Sequence, residues 1–130
     1  MDFPRLYEQA LNAYYDRQYD EAMGKFRQVM DLEPEGEWAD NAQYWIGECY
    51  YGLRDDAAAI EAFHKVFRFS KTEKDDDAQF MLGQCYMNLS NYENALIELN
   101  RLKIDYPESE YIGRAEAYIH KIRTLQDSGP

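Results

Sequence analysis

Residues 41–59, NAQYWIGECYYGLRDDAAA, and residues 77–95, DAQFMLGQCYMNLSNYENA, write one pattern twice. At a shift of 36 they coincide at Ala-Gln, at Gly-x-Cys-Tyr, at the Leu that follows and at a closing Ala. The matching reaches beyond these stretches. Ala22, Ala59 and Ala95 stand 37 and 36 residues apart, and Phe26, Phe63 and Leu99 each follow by four. Ala10, Gly47 and Gly83 each precede the alanine by 12, and Pro34 and Pro107 close the first and third copies. A period of about 34–37 residues holding two helical patterns is the signature of a helical solenoid, because one helix pair cannot bury its own faces and stacked copies can.

Each period predicts an antiparallel helix pair. The first gives helices over 3–16 and 19–32, the second over 39–53 and 56–69, the third over 76–89 and 92–105. Ala42, Trp45, Ile46, Cys49 and Tyr50 recur at helical spacing, as do Ala59, Ile60, Phe63, Val66 and Phe67. Asp20, Asp40, Asp56, Asp76 and Asn91 lie near helix starts, where a short polar side chain can cap free N–H groups. Residues 109–126, SEYIGRAEAYIHKIRTLQ, predict a last helix that Ser109 can cap and whose apolar stripe is Ile112, Ala115, Ile119 and Ile122. This helix carries His120 where earlier copies carry Gly47 and Gly83, which marks it as a capping helix.

The small residues have a packing reason. Gly47 and Gly83 on the first helix of a pair, and Ala22, Ala59 and Ala95 on the second, allow close approach. Phe63 and Leu99, at the position that Phe26 holds in the first copy, are expected to fill the gap between a pair and the next helix. A glycine inside a helix costs about 1 kcal/mol relative to alanine, so two at one repeat position indicate a tight contact that offsets the loss.

These residues resemble the tetratricopeptide repeat (TPR) family. Its pattern stands here as Ile46-Gly47, Tyr50, Ala59 and Phe63, again as Leu82-Gly83, Tyr86, Ala95, Leu99 and Pro107, and more weakly as Ala10, Ala13, Ala22, Phe26 and Pro34. The family's early aromatic is replaced by Gln43 and Gln79, with Tyr44 and Phe80 one step along. The links DLEPEGEWADNA and DYPESEYIGRA, with YWIGECYYGLRD, resemble the C-terminal domain of Tol–Pal coordinator (YbgF-type) proteins. They are also similar to BamD-like outer-membrane assembly lipoproteins. The resemblance implies an all-α, right-handed helical-hairpin solenoid. It comprises three repeats over about 3–35, 39–70 and 76–107, a capping helix and a tail over 127–130, as one domain.

Composition narrows the partner classes. A net charge of -11 argues against nucleic acid and against anionic lipid surfaces. It fits solubility, with a basic partner as the other reading. No apolar run approaches the ~20 residues of a membrane span, so no membrane insertion is expected. The opening residues MDFPRLYEQALNAYYDRQYD show neither a basic leader nor a continuous apolar stretch. The family resemblance implies a periplasmic address, whereas this opening and unpaired cysteines fit the cytoplasm, so the compartment stays open.

Chemistry-bearing residues are few. Cys49 and Cys85 occupy equivalent repeat positions and are read as two free core thiols. The alternative, a disulfide or metal pair, conflicts with helix spacings of about 8–10 Å against the ~7 Å that a disulfide tolerates. His64 and His120 lie in different repeats without ligand spacing, so no metal is expected. The run KTEKDDDAQ lacks the Asp-x-Asp-x-Asp-Gly register of a Ca²⁺ loop and reads as a solvated link before a helix start. No nucleophile elbow, phosphate loop or His-Glu-x-x-His occurs, so neither an enzyme nor a cofactor is implied.

The resemblance implies a concave groove built by the first helix of each pair. By helical phase its partner-facing residues are Tyr7, Leu11 and Tyr14, then Tyr44, Glu48 and Tyr51, then Phe80, Gln84 and Met87. Aromatic and Met-rich surfaces of this kind suit a peptide or helix. The function expected is a non-catalytic protein–protein interaction module, in the setting of a bacterial cell-envelope adaptor. The alternatives are a self-associating scaffold, in which one copy's groove holds part of another, and an accessory domain of an enzyme.

Overall fold

The structure, a computed structural model, describes residues 3–69 and 73–128. These residues form α1 (Phe3–Tyr15), α2 (Tyr19–Leu32), α3 (Glu37–Gly52), α4 (Asp56–Val66), α5 (Asp75–Asn88), α6 (Tyr92–Asp105) and α7 (Ile112–Asp127). No strand occurs among them. The protein is all-α and of the helical-hairpin class. The chain falls into two compact units, Met1–Asp75 and Asp76–Pro130.

The turn inside each pair is built the same way three times. Arg17, Arg54 and Ser90 adopt φ of 63°, 62° and 58°, the left-handed region. Around them Gln18, Asp55 and Asn91 donate backbone N–H groups to the carbonyls of Ala13, Tyr50 and Tyr86, while Arg17, Arg54 and Ser90 donate to Tyr14, Tyr51 and Met87. This is the double bond of a Schellman end, which satisfies carbonyls that a helix otherwise leaves open. Glycine usually holds that position; here hydrogen bonding keeps three non-glycine residues in it.

Capping differs from expectation in register. Asn91 caps α6 by accepting from the Asn94 N–H at 3.2 Å. The cap of α4 is Asp55, which accepts from the Ala58 N–H at 3.1 Å, with Asp56 already inside the helix. Asp20 and Asp40 also lie within helices, behind Gln18 and Gly36, which give no side-chain cap bond. Gly36, at φ 111°, turns the first link into α3 two residues earlier than the sequence suggests. Helix α4 ends early, since Phe67, Arg68 and Phe69 donate to carbonyls three residues back and tighten the chain. Ser109 lies before α7, accepting from the Tyr111 N–H at 3.1 Å and donating to Asp76 at 2.7 Å.

In the first unit α1, α2, α3 and α4 share a core of Leu6, Ala10, Ala22, Phe26, Ala42, Ile46, Cys49 and Ala62. In the second, Phe80, Ala95, Leu99, Leu102, Ala115, Ile119 and Ile122 form the core of α5, α6 and α7. His120 is exposed. Gly47 and Gly83 do bring helices together, but their partners are the large residues of the same pair. A Cβ on Gly47 would lie 2.5 Å from Cε1 of Phe63, and one on Gly83 would lie 2.5 Å from Cδ2 of Leu99. Phe63 and Leu99 therefore fill their own repeat's notch, and Leu99 also shares its core with Ala115, Ile119 and Ile122 of the following helix. A third notch, at Gly52 on α3, takes the ring of Tyr19 on α2.

Gln43 and Gln79 tie each pair together. The Gln43 amide donates to the Ala62 carbonyl at 3.0 Å and the Gln79 amide donates to the Glu98 carbonyl at 2.8 Å. Both bonds are buried and span the same 19 residues. A buried amide without a partner would be costly, and the bond turns a departure from the family pattern into a hairpin clasp. Leu6 holds that position in the first repeat.

Candidate functional site

The first helices of the pairs carry the predicted surface residues. In the first unit Tyr7, Leu11 and Tyr14 of α1 and Glu48 and Tyr51 of α3 are half-buried, so each retains an open edge. Tyr7 meets Phe26 and Trp38 edge-to-face at 5.8 and 5.1 Å. Burial pushes its hydroxyl up to about 12. The Tyr14 hydroxyl donates to a Glu48 carboxylate oxygen at 3.2 Å, and its ring meets Trp45 at 5.0 Å. Burial, then the Glu48 charge, raises the Tyr14 pKa. Together α1 and α3 present a face of aromatic edges around one carboxylate.

Two predicted residues are core instead. Tyr44 is 7% exposed and packs on Phe63 at 5.6 Å, with the Lys74 ammonium 5.3 Å from its ring centre. Phe80 is 2% exposed. It stacks on Tyr111 at 4.7 Å and on Tyr118 at 5.7 Å, with the Arg114 guanidinium 4.7 Å from its ring centre. The reason is the residues 106–111 segment, whose Tyr111 hydroxyl donates to Asp77 at 2.6 Å and lays its ring on Phe80. Burial and then this bond raise the Tyr111 pKa. Asp76 and Asp77, read as a solvated run, thus anchor the approach to α7. In the second unit Gln84 and Met87 remain half-buried, and the Gln84 amide donates to Asn88 at 3.1 Å. Trp45 belongs with the first unit's face, though its spacing suggested only a packing role.

Cys49 and Cys85 are buried thiols that form no disulfide. Burial, followed by the Glu48 charge, pushes the Cys49 thiol from 9.0 up to about 12. A group protonated more firmly in the folded state adds stability that is complete below its unfolded pKa and is lost as pH rises through the folded one. Denaturant unfolding between pH 9 and 12 should therefore show falling stability, and Cys49→Ala should flatten the start of that fall. Thiol labelling at pH 8 should be slow at both cysteines until the chain unfolds. Rapid labelling of the native protein, or an unchanged slope in Cys49→Ala, would contradict this environment for the thiol.

No group of three or more His, Cys, Asp or Glu that could hold a metal ion occurs among the described residues. No helix there is long and apolar enough to cross a membrane.

Repeated hairpins with a small-residue notch, a Schellman turn and an aromatic first-helix face define a tetratricopeptide-type domain. The chain belongs to the YfiO outer membrane lipoprotein family, whose model matches residues 1–126. No curated protein matches the sequence. Among solved structures, the fold is similar to the Yersinia enterocolitica type III secretion translocator chaperone SycD, with TM-score 0.79, 18% identity, and 98% of this chain and 95% of that one covered. SycD in complex with a peptide of the translocator YopD gives TM-score 0.79 at 17% identity, covering 95% and 93%. The first TPR of Spaghetti (RPAP3), bound to the HSP90 peptide SRMEEVD, gives 0.75 at 19%, covering 97% and 94%.

Proposed function

We propose that this protein is a non-catalytic interaction module that binds a peptide segment on the α1–α3 face of its first unit. The observation that carries the reading is the α1–α3 face, where Tyr7, Leu11, Tyr14, Glu48 and Tyr51 keep open edges. Half-open aromatics backed by a packed core are what interface anchors require: a rigid body and a contact area ready to lose water. Gln84 and Met87 offer a smaller surface on the second unit. Solved neighbours of the same fold hold peptides, which supports the reading. The family match to an outer membrane lipoprotein supports a cell-envelope setting, with the Tol–Pal type of adaptor as its narrower form. Exposed Ile97 and Ile104 on α6, at 47% and 77%, favour self-association as a second reading.

Selection from a displayed peptide library, followed by titration of the selected peptide, tests the groove. Tyr14→Ala and Tyr51→Ala should each weaken binding by about 1 kcal/mol or more, as truncated interface aromatics do. Both should leave most of the thermal stability intact. Full binding by both variants would move the partner off this face. Light scattering of the purified chain decides self-association.

A further inference from the structure

We infer a second contact site in the first unit, a cavity between α2, α3 and α4 that receives an apolar side chain and a neighbouring Glu or Asp side chain of a partner peptide. The cavity measures about 250 Å³. Drug-sized ligands occupy about 300–1,000 Å³, so this space suits one or two side chains, with the peptide backbone left at the rim. Met30, Ile46 and Ala62 give it an apolar floor.

Charge selects the second side chain. The chain carries -11 overall, yet Arg27 and Lys65 both line this cavity. The Arg27 guanidinium donates to the Tyr50 hydroxyl at 3.0 Å, which fixes one edge of the fork and leaves other N–H groups for an acceptor. Glu61 also lines the cavity, 3.9 Å from the Lys65 ammonium, with 77% of its side chain exposed. Such a long, solvated pair is worth little, so an incoming carboxylate held by both cations can displace it. An Asp or Glu side chain reaches the cations while its apolar neighbour meets the floor. This site uses none of the α1–α3 face, so it stands or falls independently of that reading.

The test is an NMR titration of the ¹⁵N-labelled full chain with the capped dipeptide acetyl-Leu-Glu-amide. Shift changes should centre on Arg27, Ile46, Tyr50, Ala62 and Lys65. Acetyl-Leu-Gln-amide should bind about tenfold more weakly or worse, because charge-assisted hydrogen bonds are lost. Arg27→Gln with Lys65→Gln should remove most of that discrimination while the spectrum stays folded. Equal binding of the two probes would overturn the proposal, as would shifts elsewhere or none. Equal binding of acetyl-Gln-Leu with a free carboxyl end would overturn the side-chain source, because the site would then read chain termini.

Discussion

Truncating Phe63 to alanine should lower the unfolding free energy by about 3–5 kcal/mol, the usual loss for a buried phenylalanine ring. The ring is fully buried and lies directly on the backbone of Gly47. The contact makes a sharper claim about Gly47→Ala. In the native background the new methyl meets a rigid ring at 2.5 Å. Overpacking costs about 1–3 kcal/mol, against about 1 kcal/mol gained by removing a helical glycine. With Phe63 already cut to alanine, Gly47→Ala should become neutral or stabilising. Urea unfolding of the four proteins measures the coupling. Additive losses would show that the glycine makes room for something other than this ring.

Gly83→Leu should be similarly severe, at about 3 kcal/mol or more, since typical overpacking costs about 1–3 kcal/mol and here several carbons enter an occupied notch. Gly83→Ala should be milder than Gly47→Ala. Its Cβ would meet Leu99 Cδ2 at 2.5 Å and Cγ at 2.7 Å, atoms of a side chain that can change rotamer, whereas the Phe63 ring is rigid. Gly24 is the control: it lies within α2, and a Cβ there meets nothing within 4 Å. Gly24→Ala should stabilise by up to about 1 kcal/mol. A destabilised Gly24→Ala, or a tolerated Gly83→Leu, would break the link between notch geometry and cost.

The repeats were legible because a helix pair must bury one face, so its apolar phase is written into every copy. The boundaries of α2 and α6 follow from that phase alone. Capping was legible only to within a residue at α4, where Asp55 and Asp56 are adjacent and only backbone geometry selects the first. The glycine notches showed as small residues, but periodicity does not say which large side chain enters. Tyr19 entering at Gly52 had no repeated signal, since the third copy has Asn88 where Gly52 stands. Helical phase placed Tyr44 and Phe80 on the side that Tyr7 shares. It could not show that Tyr111, arriving from an irregular segment, covers Phe80. The Gln43 and Gln79 clasps were visible as an anomaly whose meaning needed the opposing carbonyls.

The notches also bear on how such a chain can drift. Gly47 with Phe63 and Gly83 with Leu99 each stand 16 residues apart, a small residue facing a large one. Neither member is free to change alone: enlarging the small one demands trimming its partner, and the summed volume is what the hairpin holds constant. The first copy pairs Ala10 with Phe26 at the same separation, already one carbon larger on the small side. In related chains these positions should covary as a volume exchange, large for small, and the two sites would record one shared constraint instead of two separate ones.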